Sequence, residues 1–341
     1  METTILGRTN MVVTRTGFGV LPLQRTQISE AVRILKRAYD AGITFYDTAR
    51  AYTDSEEKIG YALSDVRDSI VIATKTASTT RTGVLADIEV SLKNLRTDHV
   101  DLLQLHNPTE LPDPEDSESS YAGLIEAREK GMTVFIGFTN HHRERALAAV
   151  ESGLYDTLQY PLCHISNGND LEVIERCKAA NVGLIAMKPL SGGLLTNAKT
   201  AFAFLRQYEN LVPIWGFQRM NELEEVLEFD SNPPVMDDEV WKAIETDRKE
   251  LAGDFCRACA YCMPCPAGIQ IPMAARMGLL LRRMPYQQFM SKQWHSEMQK
   301  IRNCMHCGQC KSRCPYELDT PALLDKMLAD YEEFYCEHSR S

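Results

Sequence analysis

Eleven cysteines stand in a chain of 341 residues, and eight of them fall into two short runs. The first is Cys256, Cys259, Cys262 and Cys265, followed by Pro266. The second is Cys304, Cys307, Cys310 and Cys314, followed by Pro315. Thiolates are soft ligands that suit zinc or iron–sulfur clusters. Structural zinc sites usually join two separated C-x2-C pairs, whereas here four cysteines crowd within ten or eleven residues, twice. Spacing therefore favours iron–sulfur chemistry. The second run, C-x2-C-x2-C-x3-C-P, lets three close thiolates face one iron–sulfide cube, and its proline stiffens the turn that carries the fourth. The first run, C-x2-C-x2-C-x2-C-P, is one residue shorter and fixes its ligands less firmly. Cys336 has no neighbouring cysteine and is not expected to be a ligand. Cys163 and Cys177 read as small buried hydrophobes.

A second set of chemical groups lies upstream. Asp47 and Tyr52 follow one β-rich run, Lys75 ends the next, and His106 ends the one after that. Singly, each has an ordinary structural reading: packing for a tyrosine, solvation for a lysine. Together, at successive strand ends, they suggest carbonyl reduction. A carbonyl that takes hydride becomes an alkoxide and needs a proton. A tyrosine can supply it if a neighbouring cation favours the phenolate. Lys75 would be that cation, Asp47 would hold it in an ion pair, and His106 would orient the carbonyl oxygen. Side chains supply no hydride, so a cofactor must.

The elements that position these groups are legible as an alternation. Strand-like runs occur at 17–21, 44–46, 70–74, 101–105, 134–138, 157–160, 183–187 and 212–216, with amphipathic helical stretches between them. Gly42, Gly131 and Gly153 close three of those helices. Eight strands alternating with helices predict parallel βαβ units. They favour a (β/α)8 TIM barrel, with its site at the C-terminal strand ends. A doubly wound open sheet is the alternative, but no G-x-G-x-x-G follows the first strand. Ile5–Arg15 reads as a β-hairpin beneath the barrel. Pro- and Asp-rich residues 228–240 lead into a helix over 238–251. Composition then shifts, so the expected domains are 1–250, the α/β barrel, and 251–341, a small, mainly helical iron–sulfur domain. Helix-like stretches between the cysteine runs lie around 273–284 and 288–301.

The upstream region, roughly residues 4–250, resembles the aldo-keto reductases, with Asp47, Tyr52, Lys75 and His106 as the most specific part of the likeness. The resemblance implies an NAD(P)H-dependent reductase of aldehydes or ketones and a set of cofactor contacts. Thr139 and Asn140, in Gly137-Phe138-Thr139-Asn140, would hold the nicotinamide carboxamide together with Gln159. Met187 would underlie the nicotinamide where many members use tyrosine, and Lys188, Pro189, Leu190 and Gly192 would form the loop after strand seven. Gly216, Gln218, Arg219 and Glu225 would hold the adenosine phosphate and adenine. The usual lysine and serine of that segment are missing. Arg219 remains to meet a 2′-phosphate, which leans the choice between NADP(H) and NAD(H) toward the former. Val226 stands where an asparagine commonly meets adenine. The cysteine domain resembles helical two-cluster ferredoxins, in which the fourth cysteine of each run serves the other cluster. That implies two [4Fe-4S] clusters, one on Cys256, Cys259, Cys262 and Cys314, the other on Cys304, Cys307, Cys310 and Cys265. Tails of this kind occur on a subset of the aldo-keto reductases.

Composition, 44% hydrophobic and 25% charged, is that of a globular protein. A formal net charge of −10 argues against a nucleic-acid partner. Arg276, Arg282, Arg283, Lys292, Lys300 and Arg302 form a locally basic stretch that reads as a solvated helix face. No run of 18 apolar residues suggests a membrane span, and the first residues show no secretory signal. Clustered cysteines without such a signal point to reduced ligands in the cytoplasm. The expected partner is a small carbonyl substrate. A redox protein is the partner that an electron-transfer reading admits, although nicotinamide gives two electrons, clusters take one, and no flavin motif is evident. In a third reading the clusters only brace the structure.

Overall fold

In the computed structural model, ten β-strands and fourteen α-helices are described over residues 1–251 and 255–338. Strands β1 (Thr3–Ile5) and β2 (Val12–Thr14) pair antiparallel as the expected hairpin. Eight parallel strands then close a barrel: β3 (Gly17–Gly19), β4 (Phe45–Asp47), β5 (Val71–Thr76), β6 (Val100–His106), β7 (Thr133–Thr139), β8 (Thr157–Pro161), β9 (Gly183–Met187) and β10 (Leu211–Trp215). The ring is sealed by β10 pairing with β3. Helices α1 (Ile28–Asp40), α2 (Ser55–Leu63), α3 (Arg81–Leu95), α4 (Ser120–Glu129), α5 (Arg143–Ser152), α6 (Gly168–Ala179), α7 (Ala198–Arg206) and α8 (Met220–Ser231) follow the successive strands. The expected α/β barrel is therefore present.

Because strand side chains alternate between faces, every second residue enters the barrel interior. Phe45, Ala73, Leu102, Ile185, Met187, Val212 and Ile214 pack there in one cluster with Leu6 and Val13 of the hairpin segment. Gly7 allows the hairpin to approach so closely: a Cβ there would lie 2.2 Å from the Gly183 backbone nitrogen. The N-terminal end is thus plugged with hydrocarbon, and polar side chains are left for the C-terminal ends of the strands.

The chain divides into two compact units, Met1–Pro189 with Ala198–Ala243, and Leu190–Asn197 with Ile244–Ser341. Helix α9 (Asp238–Glu250) carries the chain across the last of these boundaries, between Ala243 and Ile244. The second unit holds α10 (Ile271–Ala274), α11 (Met277–Arg283), α12 (Lys292–Gln299), α13 (Gln309–Ser312) and α14 (Thr320–His338). The stretch around 273–284 is two short helices, because the i→i+4 ladder restarts after Arg276, whose backbone is non-helical. Helix α14 is absent from the sequence reading. Its buried Leu324, Leu328 and Tyr331 lie three and four residues apart, on one face.

The basic stretch is not a uniformly solvated face. Arg276 is buried and donates to the Gly192 carbonyl at 2.6 Å. Arg283 pairs with Asp247 and Glu250 and donates to the Leu194 carbonyl at 2.8 Å. Arg282 and Arg302 pair with Asp330 and Glu332, each at 2.7 Å. Acidic partners from α9 and α14, remote in sequence, absorb the charge. No described helix is long and apolar enough to cross a membrane.

Candidate active site and cysteine hollows

Parallel register assembles the polar end of the barrel. Lys75 stands opposite Gln104, His106 opposite Thr139, and Thr139 opposite Gln159. Asp47, at the end of β4, reaches the same group. Lys75 Nζ donates to Asp47 Oδ1 and to the Thr48 carbonyl, both at 2.6 Å. The two side chains are almost fully shielded from solvent. Burial pushes the Asp47 carboxyl up and the Lys75 ammonium down, and their mutual attraction opposes both shifts. Gln104 Nε2 and Gln159 Nε2 donate to the carboxylate at 3.3 and 3.4 Å, so hydrogen bonds hold the anion on both oxygens.

Tyr52 comes from the loop between β4 and α2. The loop is fastened by Tyr52 N donating to the Ala49 carbonyl at 3.0 Å and Ser55 N donating to the Tyr52 carbonyl at 2.8 Å. Lys75 Nζ lies 5.3 Å from the centre of the Tyr52 ring. The Tyr52 and His106 rings meet edge to face, 5.5 Å apart at 84°. Burial, and then the Lys75 charge, push His106 down to about 3, so its imidazole is neutral at physiological pH. The structure brings Asp47, Tyr52, Lys75 and His106 into one constellation, with Asp47 and Lys75 buried and Tyr52 and His106 half-buried.

Sequence reasoning missed two contributors. Gln104 is fully buried and accepts from Thr139 Oγ1 at 3.1 Å while donating to Asp47, so it links β7 to the ion pair. It stands two residues before His106 and shares its strand face; a polar residue at that register was the available signal. Glu56, also buried, accepts from Thr74 Oγ1 at 2.7 Å and from Asn94 Nδ2 at 3.2 Å, and its charge favours the Lys75 cation. Helical spacing hides it, since Glu56 reads as a routine acid in the first turn of α2.

The cofactor candidates are unequal. Gln159 Oε1 is buried and has no hydrogen-bond partner among the described residues, so a carboxamide N–H would satisfy it. Thr139 is buried at the same end. Asn140, by contrast, already spends its amide on the chain: Nδ2 donates to the Pro108 carbonyl and Oδ1 accepts from His142 N, both at 2.9 Å. Its evident work is lacing the loops behind His106. Met187 is buried at the end of β9. Lys188 has φ +61°, a left-handed conformation, and with Pro189 ends its segment of the first unit, whereas Leu190 and Gly192 belong to the second. Gly216, Gln218, Arg219 and Glu225 lie at the end of β10 and the start of α8. The orphaned acceptor on Gln159, beside a buried cation and phenol, fits a nicotinamide nucleotide.

In the second unit the cysteines surround two hollows. Cys265, Cys304, Cys307 and Cys310 line one; Cys256, Cys259 and Cys314 line the other, and Cys262 borders both. The Cys256 thiol is raised by burial and by nearby Cys259 and Cys314; Cys310 is raised by burial and by Cys304 and Cys265. Cys262 is pushed up to about 12, by burial first. Among the described residues no group of three or more His, Cys, Asp or Glu side chains is gathered as tightly as one metal ion requires. Thiols spaced around a hollow suit the corners of an iron–sulfide body. Cys336 is exposed on α14 and lines neither hollow, and Cys163 and Cys177 are buried in the barrel unit.

A closed parallel barrel with this constellation at its strand ends has known counterparts. The Aldo/keto reductase family model matches residues 15–203, more than half of the chain, and the chain belongs to that family. A 4Fe-4S dicluster domain model matches residues 255–319. Aldo-keto reductase YhdN of Bacillus subtilis (strain 168) is 29% identical over 219 residues, covering 59% of this chain and 65% of the relative. L-galactose dehydrogenase of Arabidopsis thaliana is 29% identical over 216 residues, covering 58% and 67%. The chain thus spans about two thirds of the length of these relatives. The solved holo form of aldo-keto reductase AKR11C1 from Bacillus halodurans superposes with a TM-score of 0.64 at 19% identity, over 72% of this chain and 96% of that one, a likeness of fold.

Proposed function

We propose that the protein reduces an aldehyde or ketone to an alcohol with a nicotinamide nucleotide as hydride donor. The carrying observation is the buried Lys75–Asp47 pair with Tyr52 and His106 around it. A reduced nicotinamide held at Thr139 and Gln159 would supply the hydride that the carbonyl carbon takes up. Tyr52 donates its phenolic proton to the developing alkoxide, and the phenolate left behind is reprotonated from solvent. Lys75 stabilises that phenolate, while Asp47, held by Gln104 and Gln159, keeps the ammonium in place. Neutral His106 donates an N–H to the carbonyl oxygen and orients it, a role that an imidazolium would not share with a nearby ammonium. Thr139 and Gln159 would hold the carboxamide, and Met187 would support the ring.

The hollows support the exchanged ligand sets: Cys256, Cys259, Cys262 and Cys314 for one [4Fe-4S] cluster, and Cys304, Cys307, Cys310 and Cys265 for the other. We place the division of labour near residue 250 and the protein in the reducing cytoplasm, where thiolate ligands persist. Exposed Cys307, on the rim of its hollow, supports a second reading in which a redox protein exchanges electrons with the cluster there.

The test is Tyr52→Phe. Losing a general acid should lower carbonyl turnover about 10²–10⁴-fold, with nucleotide binding, followed by fluorescence, unchanged. Turnover at the wild-type rate removes this mechanism.

A further inference from the structure

We propose that Glu222 makes the protein select NADH over NADPH; this rests on the reading that a nicotinamide nucleotide binds in the barrel with its adenosine end at the start of α8. The sequence leaned the other way, because Arg219 stood as a cation for a 2′-phosphate. In the structure that position is already answered by the chain's own carboxylate. Glu222 Oε2 accepts from Gln218 N at 2.7 Å and from Arg219 N at 3.1 Å, the first amides that an incoming phosphate would take. Glu222 Oε1 lies 3.7 Å from Arg219 Nη1, so the guanidinium faces the same carboxylate.

Along its own segment the charge is one-sided. From Gly216 to Ser231 the chain carries a single cation, Arg219, against Glu222, Glu224, Glu225, Glu228 and Asp230. Three of these acids have partners of their own: Glu224 pairs with Arg37 at 2.7 Å, Asp230 accepts from Thr16 Oγ1 at 2.8 Å, and Glu228 accepts from Asn232 Nδ2 at 2.7 Å. Arg219 itself is mostly solvent-exposed, which screens its charge. A 2′-phosphate, a dianion at neutral pH, would have to displace Glu222 from two amides and then sit beside the displaced carboxylate. A ribose 2′-hydroxyl is neutral and donates a hydrogen bond to a carboxylate. Acidic residues choose the unphosphorylated nucleotide in this way in dinucleotide folds.

Equilibrium fluorescence titration of the intact, cluster-loaded protein with each nucleotide reads the preference without turnover. The expected result is NADH binding at least about tenfold more tightly than NADPH. Glu222→Gln keeps an oxygen to accept from the two amides and removes the charge. It should tighten NADPH to within about threefold of NADH, a discrimination of under about 1 kcal/mol. Arg219→Ala should leave the NADH-to-NADPH ratio within about threefold of wild type; it tests the proposal even if the Glu222 variant fails to fold. Equal or tighter NADPH binding by the wild type overturns the proposal. So does an unchanged ratio in folded Glu222→Gln, or a loss confined to NADPH in Arg219→Ala. In each of those cases the reductase reading stands. Failure of both nucleotides to bind overturns that reading and the proposal together.

Discussion

The barrel site and the cysteine hollows treat buried charge in opposite ways. At the strand ends the charged pair is answered within the barrel: Lys75 by Asp47, Asp47 by Gln104 and Gln159, Gln104 by Thr139, with Gln159 Oε1 alone left over. The Lys75–Asp47 pair is close to neutral and is assembled by the fold. In the second unit burial and mutual repulsion push Cys256, Cys262 and Cys310 up, and the Arg276 charge and backbone N–H groups only partly offset this. Four thiolates around one hollow call for a cation among them. Iron supplies what Lys75 supplies in the barrel. One site is completed by folding and the other by its metal.

The largest expected loss comes from unmaking a hollow. Cys314→Ser should remove the cluster on Cys256, Cys259 and Cys262, leaving about half of the iron and sulfide. Cys265→Ser should instead spare that cluster and leave the same electron paramagnetic resonance spectrum as Cys304→Ser. If Cys265→Ser matches Cys256→Ser instead, the fourth ligands are not exchanged. In all of these variants the barrel's nucleotide affinity should stay at the wild-type value, because the hydrogen bonds of Asp47, Lys75, Gln104 and Thr139 are made to barrel residues.

Breaking the barrel pair is the next largest effect. Asp47→Asn leaves a buried ammonium without its anion, a loss of about 3–5 kcal/mol in urea unfolding. A loss below about 1 kcal/mol would mean that Lys75 is neutral in the folded protein. Gln104→Leu is smaller. It removes a donor from Asp47 and an acceptor from Thr139, at about 1–3 kcal/mol. It should also raise KM for the nucleotide if Thr139 is held in place through Gln104.

How much of this was legible in sequence follows from range. The eight strands and the four residues at their ends were readable because alternation and strand-end position are local patterns. Parallel register converts that position directly into proximity. The paired cysteine runs were readable for the same reason. What escaped were partners chosen across the fold. Gln104 and Glu56 look ordinary until Thr139, Asp47 and Thr74 are placed beside them. Arg276 and Arg283 look solvated until Gly192, Asp247 and Glu250 meet them. Glu222 was within reach, since an acid three residues after Arg219 has capping-box spacing. A free cation is easily assumed where a phosphate is sought.

The finest test asks whether His106 is as neutral as the comparison requires. Its folded pKa of about 3 lies below the ordinary value of 6.5, because burial and the Lys75 charge disfavour the imidazolium. Above pH 6.5 the ring is neutral in both folded and unfolded chains and contributes no pH dependence. Between 6.5 and 3 the unfolded chain takes up a proton that the folded chain refuses, so stability falls as pH falls, by about 1.4 kcal/mol per unit. His106→Gln should remove that slope. Urea unfolding of both proteins from pH 7 to 5 isolates it, because other titrating groups cancel in the difference. The pH profile of kcat/KM should likewise show no limb near 6.5 from this residue. Parallel stability curves for the two proteins, or an acid limb that vanishes in His106→Gln, would mean that His106 takes a proton in the folded state. The barrel would then carry an unanswered charge of the kind found in the thiol hollows.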